Sequence, residues 1–375
     1  MAHPGAELYG SDRVFLESVS GMIEDDWEVV VTLPVSGPLV AALKERGAEV
    51  RLTPTPVVRK SALRPRGMLK FLATSIAGVI CGSRLLNRTR PDAVYVNTMT
   101  IPLWQVLARL RRIPVLSHVH EGESSASPLI RSALALPLFL STTIVANSKF
   151  SVGVIEKSFP RLADRSEVIY NGVPGPTTQI DARSSLDSPL RITYIGRLSP
   201  RKGVAVAVAA VGILAARGID THLDLVGAIF PGYEWYEDQL RQQIVDLGLE
   251  GRVQFHGFQP SVWELMAAGD VVVVPSIADE PFGDTAVEAV LSGRTVIASA
   301  TSGLLEATAG YTTARSVEPG NADALADALQ ATADHWGTTS GEMRSDIHAA
   351  RLRHGPELYR QRMAGKIGTI VRTPR

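Results

Sequence analysis

The sequence predicts an α/β protein built from two doubly wound, parallel-sheet domains, and three observations lead there. Short apolar β-type runs alternate with segments of helical period along almost the whole chain, which is the pattern of a parallel sheet covered by helices. A chain of 375 residues is too long for one ordinary core, so two domains are expected. Between residues 174 and 189 the alternation stops in a stretch rich in Pro, Ser, Thr and Asp, the composition of an interdomain linker.

In order, residues 1–173 read as the first domain. A helix is expected over Glu7–Met22, a strand over Trp27–Leu33, a helix over Gly37–Arg46 and a strand over Ala48–Leu52. Strands at Asp92–Asn97, Ile113–His118, Thr142–Ala146 and Glu167–Tyr170 continue the series. A doubly wound domain ordinarily opens with a central strand. Only Met1–Gly5 precede the first helix here, so the expectation is a missing first strand, a truncated or displaced start and an unfilled slot with exposed strand edges. The second domain, 190–355, carries strands at Arg191–Ile195, His222–Val226, Val253–Phe255, Val271–Val274 and Thr295–Ser299. A last helical segment at Glu357–Ile370 follows Gly355-Pro356, and residues 356–375 are set apart for it.

Composition narrows the function classes. Cys81 is the single cysteine, so there is no disulfide framework and a reducing cytoplasm is the expected compartment. Cys81 lies among Val79, Ile80 and Gly82 and reads as a small buried hydrophobe. No signal-peptide pattern opens the chain. The formal charge is zero, but residues 1–180 hold 20 Lys and Arg against 15 Asp and Glu, and the remainder holds 18 against 23. Within 51–112 twelve basic residues face Asp92 alone, which reads either as solvated helix faces or as a surface for an anionic membrane or acceptor. Nucleic acid is not expected, because that segment has no interleaved aromatics.

Within the basic segment, Phe71–Ser83 is a charge-free run of 13 residues flanked by Arg64, Arg66, Lys70 and Arg84. It is shorter than the ~20 residues of a membrane span, and a buried core helix is the favoured reading. The rival is a helix lying on an anionic membrane through residues 59–90, which would make the protein peripheral on the inner face of the cell membrane.

The chemistry-bearing stretch is Val271–Ser299, VVVVPSIADEPFGDTAVEAVLSGRTVIAS. Four valines closed by Pro275 read as a doubly buried strand, and Asp284–Leu291 reads as a helix stopped by Gly293. Glu280 then lies in the loop past the strand's carboxyl end, and Glu288 lies eight residues on in the helix. Ionised carboxylates only accept hydrogen bonds, so the pair suits a hydroxyl-rich ligand such as a sugar or ribose. The bland alternative is a solvated loop residue and a helix-dipole partner.

A second stretch, Tyr194–Gly203 (YIGRLSPRKG), joins a strand to a helix. Ser199 and Pro200 suit a helix start, which puts Arg201 and Lys202 in the first turn, where the dipole disfavours cations by ~0.3–1 kcal/mol each. Cations in that position imply an anion to hold; the alternative is a frayed, solvated turn. No Walker or dinucleotide glycine pattern occurs. In VLSHVHE, Val115–Glu121, His118 and His120 share a strand face, and His120 emerges at the ligand-binding end.

At these residues the sequence resembles the family 4 retaining glycosyltransferases of the GT-B fold, whose signature E-P-F-G-x-x-x-x-E stands here as Glu280, Pro281, Phe282, Gly283 and Glu288. The resemblance implies two Rossmann-like domains facing across a cleft, with the final helix crossing back onto the first. It implies transfer of a sugar from a nucleoside-diphosphate sugar to an acceptor hydroxyl with retention, usually drawn as a front-face reaction. Glu280 would meet the donor sugar and Glu288 the ribose, with Phe282, Gly283, Asp284 and Thr285 around them. Arg197 and Lys202 match the diphosphate-binding Arg and Lys, and Gly257 and Phe258 the turn at the nucleobase. Gly10, in the loop Tyr9–Asp12, matches the glycine loop, and His120, followed by Glu121, matches a His that contacts the transferred sugar. His118 is held in reserve. Asn171-Gly172-Val173 also fits the family.

His120, Arg197, Lys202 and Glu280 are therefore the expected catalytic set. No metal or other cofactor is expected, since there is no Asp pair at D-x-D spacing and no His/Cys cluster,. The acceptor is left open among lipid-linked, polysaccharide and small-molecule hydroxyls, in cell-envelope or secondary-metabolite glycosylation. Rival readings are a nucleotide-sugar epimerase or hydrolase of the same fold, and an inactive nucleotide-sugar-binding subunit.

Overall fold

A computed structural model describes residues 1–59, 65–122, 124, 127–186, 189–230 and 232–372. The chain splits into two compact units, Met1–Gly172 with Pro356–Arg375, and Val173–Gly355. The first unit runs α1 (Gly10–Glu24), β1 (Val30–Leu33), α2 (Pro38–Glu45), β2 (Glu49–Leu52), α3 (Pro65–Thr89), β3 (Val94–Asn97), α4 (Leu103–Leu110), β4 (Val115–Val119), α5 (Pro128–Ala135), β5 (Thr143–Ala146), α6 (Lys149–Glu156), α7 (Pro160–Ala163) and β6 (Ser166–Val168). The second runs β7 (Leu190–Ile195), α8 (Val204–Ala216), β8 (Thr221–Val226), α9 (Glu234–Asp246), β9 (Val253–Gly257), α10 (Trp263–Ala268), β10 (Val271–Val274), α11 (Asp284–Leu291), β11 (Thr295–Ser299), α12 (Ser302–Thr308), β12 (Ala314–Val317), α13 (Ala322–Asp334) and α14 (Trp336–His354). Helix α15 (Pro356–Arg372) belongs to the first unit.

In the first unit β3-β4-β5-β6 and β1-β2 are parallel ladders that do not pair with each other. Met1–His3 lie between them, with Ala2 bridged in parallel to Thr32 and to Val96. The Ala2 amide donates to the Tyr95 carbonyl at 2.8 Å, and the Asn97 amide donates to the Ala2 carbonyl at 2.9 Å. The slot expected from sequence is thus occupied by these three residues at the carboxyl end of the sheet, where they satisfy the facing edges. At the opposite end the groove opens into a cavity of about 690 Å³, lined by Val29, Val30, Ala93 and Val94 among others.

Helix α15 docks on α1, because small residues let the two backbones close up. A Cβ on Gly21 would stand 2.8 Å from the Arg360 Cα, and one on Gly172 would stand 2.8 Å from the Tyr359 Cβ. Ser18 Oγ and Tyr359 Oη are 2.6 Å apart in the buried seam, and Arg360 Nε donates to Glu17 at 2.7 Å.

The favoured reading of the Phe71–Ser83 run as a buried core helix is overturned. Helix α3 touches the unit along one face, where Gly78 lies against Pro54 and Gly82 against Leu107. Only 17% of its most apolar 18-residue window is buried, although Gly67–Thr89 is long and apolar enough to cross a membrane by length and composition. Residues 60–64 of the basic segment, including Arg64, lie outside the described residues.

The second unit is a six-stranded parallel sheet of order β12-β11-β10-β7-β8-β9. The four valines of β10 are fully buried at its centre, because helices cover both faces of such a sheet. The stretch read as a linker, 174–189, lies within this unit. Arg183 Nε reaches Asp270 at 2.9 Å, Trp336 Nε1 donates to the Arg183 carbonyl, and Ala182 and Leu186 pack on the core. Strand β12 and helix α14 were not expected from sequence. β12 is short and half-exposed at the sheet edge, and α14 has polar residues around much of its circumference, so neither carries a strong period.

Candidate active site

In the second unit the connections from β7 run outward through β8 and β9, and those from β10 run the other way through β11 and β12. β7 and β10 are central neighbours, so the crevice at their carboxyl ends is the topological switch point where open α/β sheets bind ligands. The two loops there interlock. The Ile277 amide donates to the Arg201 carbonyl at 2.9 Å. Gly203 has φ +69°, and a Cβ on it would fall 1.8 Å from the Pro275 carbonyl oxygen, so only glycine fits.

Arg201 and Lys202 do not occupy the first turn of α8 as the sequence suggested. They lie in a short 3-10 turn, Pro200–Lys202, and α8 begins at Val204 after left-handed Gly203. The dipole conflict is thus removed by the extra turn. Lys202 Nζ sits 2.8 and 2.9 Å from the two Glu280 carboxylate oxygens. Ser276 Oγ donates to Glu280 at 2.9 Å, and the Glu280 amide donates to Ser302 Oγ at 2.8 Å. The Gly303 amide donates to the Glu280 carbonyl at 2.9 Å. Glu280 is therefore fixed at both backbone and side chain. Ser276 and Ser302, which hold it, were not singled out from sequence, since isolated serines in loops carry no distinguishing pattern.

Gly283 caps α11 with φ +134°, and Asp284 and Thr285 form its half-buried first turn. Glu288 is half-buried one turn further along the same helix. Phe282 was expected beside the donor. It is 2% exposed and packs on His354 with ring centroids 5.4 Å apart, so the side chain anchors the loop. Arg197 lies with its guanidinium 5.0 Å from the Phe230 ring centroid, and the Tyr194 hydroxyl donates to the Arg197 carbonyl at 2.8 Å. Gly257 ends β9 with φ +65°, and exposed Phe258 follows it.

In the first unit His118 is fully buried and His120 half-buried at the end of β4, so His120 is the one that opens toward the strand ends. A buried relay fixes it. His3 Nε2 donates to Asp12 Oδ1 at 2.6 Å, which leaves His3 Nδ1 to accept from Asn97 Nδ2 at 2.9 Å. Asn97 is thereby oriented with Oδ1 toward His120, whose Nε2 donates to it at 2.8 Å. His120 then presents Nδ1 as an acceptor. Desolvation by burial, with His3 adding to it, pushes the His120 pKa down to about 3, so the imidazole is neutral. Burial raises the Glu121 carboxyl pKa, opposed by hydrogen bonds from Thr98, Met99 and His120. Gly10 is exposed at the start of α1, and the Tyr9 amide before it donates to Asp12 at 2.9 Å. His3, Asp12 and Asn97 escaped the sequence reading, because 94 residues separate His3 from Asn97.

Residues 10–172 match the family model described as a glycosyl transferase 4-like domain, and 177–348 match glycosyl transferases group 1. A lipopolysaccharide core biosynthesis glycosyltransferase of Rhizobium meliloti, LpsD, is 32% identical over 277 residues, 71% of this chain and 74% of that one. The chain is a family 4 glycosyltransferase. An uncharacterized glycosyltransferase of Methanocaldococcus jannaschii is 27% identical over 62% of this glycosyltransferase and 63% of its own length. A Mycobacterium tuberculosis glycogen synthase is matched over 61% of its length, so the family 4 chain spans less than two thirds of these two relatives. The crystal structure of Anabaena HepE in complex with UDP-glucose superposes with a TM-score of 0.82 at 23% identity, covering 98% of each chain. The transferase has the GT-B fold, with two Rossmann-like domains.

Proposed function

We propose that this glycosyltransferase moves a sugar from a nucleoside-diphosphate donor to an acceptor hydroxyl with the anomeric configuration retained. The observation that carries the reading is the Lys202–Glu280 pair at the switch point of the second unit, with Arg197 on the same loop and Glu288 on the next helix. Departure of the diphosphate puts negative charge on the leaving group, and the cations Arg197 and Lys202 stabilise it. Removal of either is expected to cost on the order of 2.7–4 kcal/mol in the transition state. These cations take the neutralising role that a divalent ion has elsewhere, so turnover proceeds without added metal.

With its Lys202 and Ser276 contacts exchanged for sugar hydroxyls, Glu280 orients the donor sugar, and Glu288 takes the ribose hydroxyls. Neutral His120 accepts through Nδ1 from a hydroxyl of the transferred sugar. The donor phosphate takes the acceptor's proton in a front-face reaction. The Rhizobium relative, named for lipopolysaccharide core biosynthesis, favours a cell-envelope saccharide as acceptor over a small metabolite, and the single thiol suits a cytoplasmic setting.

The reading is tested by binding a panel of nucleoside diphosphates and nucleotide sugars to the wild type and to Glu288→Ala, followed by product analysis by NMR. Selective binding lost in the variant, and a product with the donor's anomeric configuration in the presence of chelator, are expected. An inverted product sinks retention. Free sugar as the only product, whatever acceptor is offered, points to a hydrolase. Binding without turnover points to an inactive nucleotide-sugar subunit.

A further inference from the structure

Among the described residues, the first unit carries a broad apolar face that its own packing does not cover. On α3, Leu69, Leu72, Ile76, Val79 and Ile80 are exposed, Leu69 to 68% and Ile76 to 66%. At roughly 100° per residue these positions form one stripe, and Gly78 and Gly82, which touch the unit, lie roughly half a turn away,. The adjoining elements continue it. Helix α4 buries Trp104, Leu107 and Ala108 and turns Val106 and Leu110 outward. Beyond it α5 exposes Leu129 and Ile130, and the 3-10 turn Leu136–Leu140 exposes Leu136 and Phe139. Successive elements touch, α3 against α4, α4 against that turn, and the turn against α5.

The charges around this face have one sign. Residues 65–119 contain eight Lys and Arg and a single acid, Asp92. Lys70, Arg84, Arg88, Arg109 and Arg112 are exposed. On α3, Arg84 and Arg88 follow the stripe at its carboxyl-terminal end, where long cationic side chains can reach headgroups while their stems cover apolar surface.

We propose that α3, α4 and the α5 region form a docking face on which the first unit lies against an anionic lipid bilayer. The charge pattern selects this occupant. A second copy seated on the same face would set cations against cations in a two-fold arrangement, whereas an anionic headgroup layer matches both the apolar stripe and its basic border. Lying on the surface, rather than spanning it, follows from geometry. The charge-free run between Lys70 and Arg84 covers 13 residues, ~20 Å of helix against the ~30 Å of a bilayer core. The Gly78 and Gly82 face is also already engaged by protein. The proposal stands apart from the transferase reading, which concerns side chains on neither α3 nor α5.

The test is co-sedimentation of the full chain with phosphatidylcholine vesicles, with and without phosphatidylglycerol, at low and high salt. Wild type should pellet with the anionic vesicles, weakly or not at all with the neutral ones, and less at high salt. Leu69→Glu with Ile76→Glu, both at well-exposed positions, should abolish pelleting while the thermal transition and nucleotide binding are unchanged. Arg84→Ala and Arg88→Ala should each weaken binding to anionic vesicles about fivefold. Equal binding to both vesicle types, no binding at all, or indifference to these substitutions would overturn the proposal. So would resistance of the bound chain to alkaline carbonate extraction, which marks a span, or self-association that the Leu69 and Ile76 changes abolish without any vesicle effect.

Discussion

Replacing Glu280 by Gln separates the site's role in catalysis from any role in stability. The carboxylate pairs with Lys202 at 2.8–2.9 Å and accepts from Ser276 at 2.9 Å. The Lys202 side chain is 37% exposed and that of Glu280 16% exposed, so solvent screening holds the pair's contribution to ~0–1 kcal/mol. The Gln carbonyl keeps the Ser276 bond, and Lys202 rehydrates. The expected fall in melting temperature is therefore no more than ~2–4 °C. Catalysis is more sensitive, because a hydrogen bond from a sugar hydroxyl to a charged acceptor contributes ~1.5–3 kcal/mol, or about 10- to 100-fold in rate. Diphosphate affinity should hold or rise, since Lys202 no longer shares its charge with Glu280. Scanning fluorimetry, calorimetry with nucleoside diphosphates and a transfer assay measure the three quantities on one preparation. A large loss of thermal stability with unchanged turnover per folded molecule would show Glu280 to be a structural strut and refute the assignment.

The remaining predictions follow from the same geometry. Asn97→Asp places a second carboxylate between His3 and His120 and should raise the His120 pKa from about 3 toward the ordinary range, which NMR titration reads directly, while Asn97→Ala should lower turnover more than donor affinity. His354 is 1% exposed and burial holds its pKa at about 3. An unfolded histidine gains its proton near pH 6.5, so stability falls as the pH drops from about 6.5 toward 3. At pH 5 the loss is ~2 kcal/mol, and denaturant titrations of His354→Gln should show that part of the slope removed. Gly203→Ala forces a Cβ into the Pro275 carbonyl at a positive φ; a destabilisation above ~2 kcal/mol and weakened diphosphate binding are expected, and normal binding at full stability would contradict the interlocked loops.

The strands and helices around both nucleotide-fold sheets were legible because burial leaves a local mark. Four consecutive valines declare β10, and helical spacing declares α11, without reference to anything distant. The same locality made Gly203 and the Arg197-to-Lys202 stretch visible. It failed where the deciding neighbour is remote in sequence. Helix α3 has the composition of a core helix, but whether anything covers its apolar stripe depends on elements folded elsewhere, and none of the described residues of its unit does.

What the chain's residue order determined by itself is therefore the α/β class, the course of most strands, the loops that carry Glu280 and Arg197 and the helix that carries Glu288. Only the tertiary structure decided that Met1–His3 bridge the two ladders at their carboxyl ends, that the Phe282 ring is buried, and that Lys202 closes on Glu280 78 residues away. It alone connected Asp12 through His3 and Asn97 to His120. Periodicity reports the burial of each segment one residue at a time, whereas a hydrogen bond or an ion pair requires two side chains to meet, and sheet order sets which ones do.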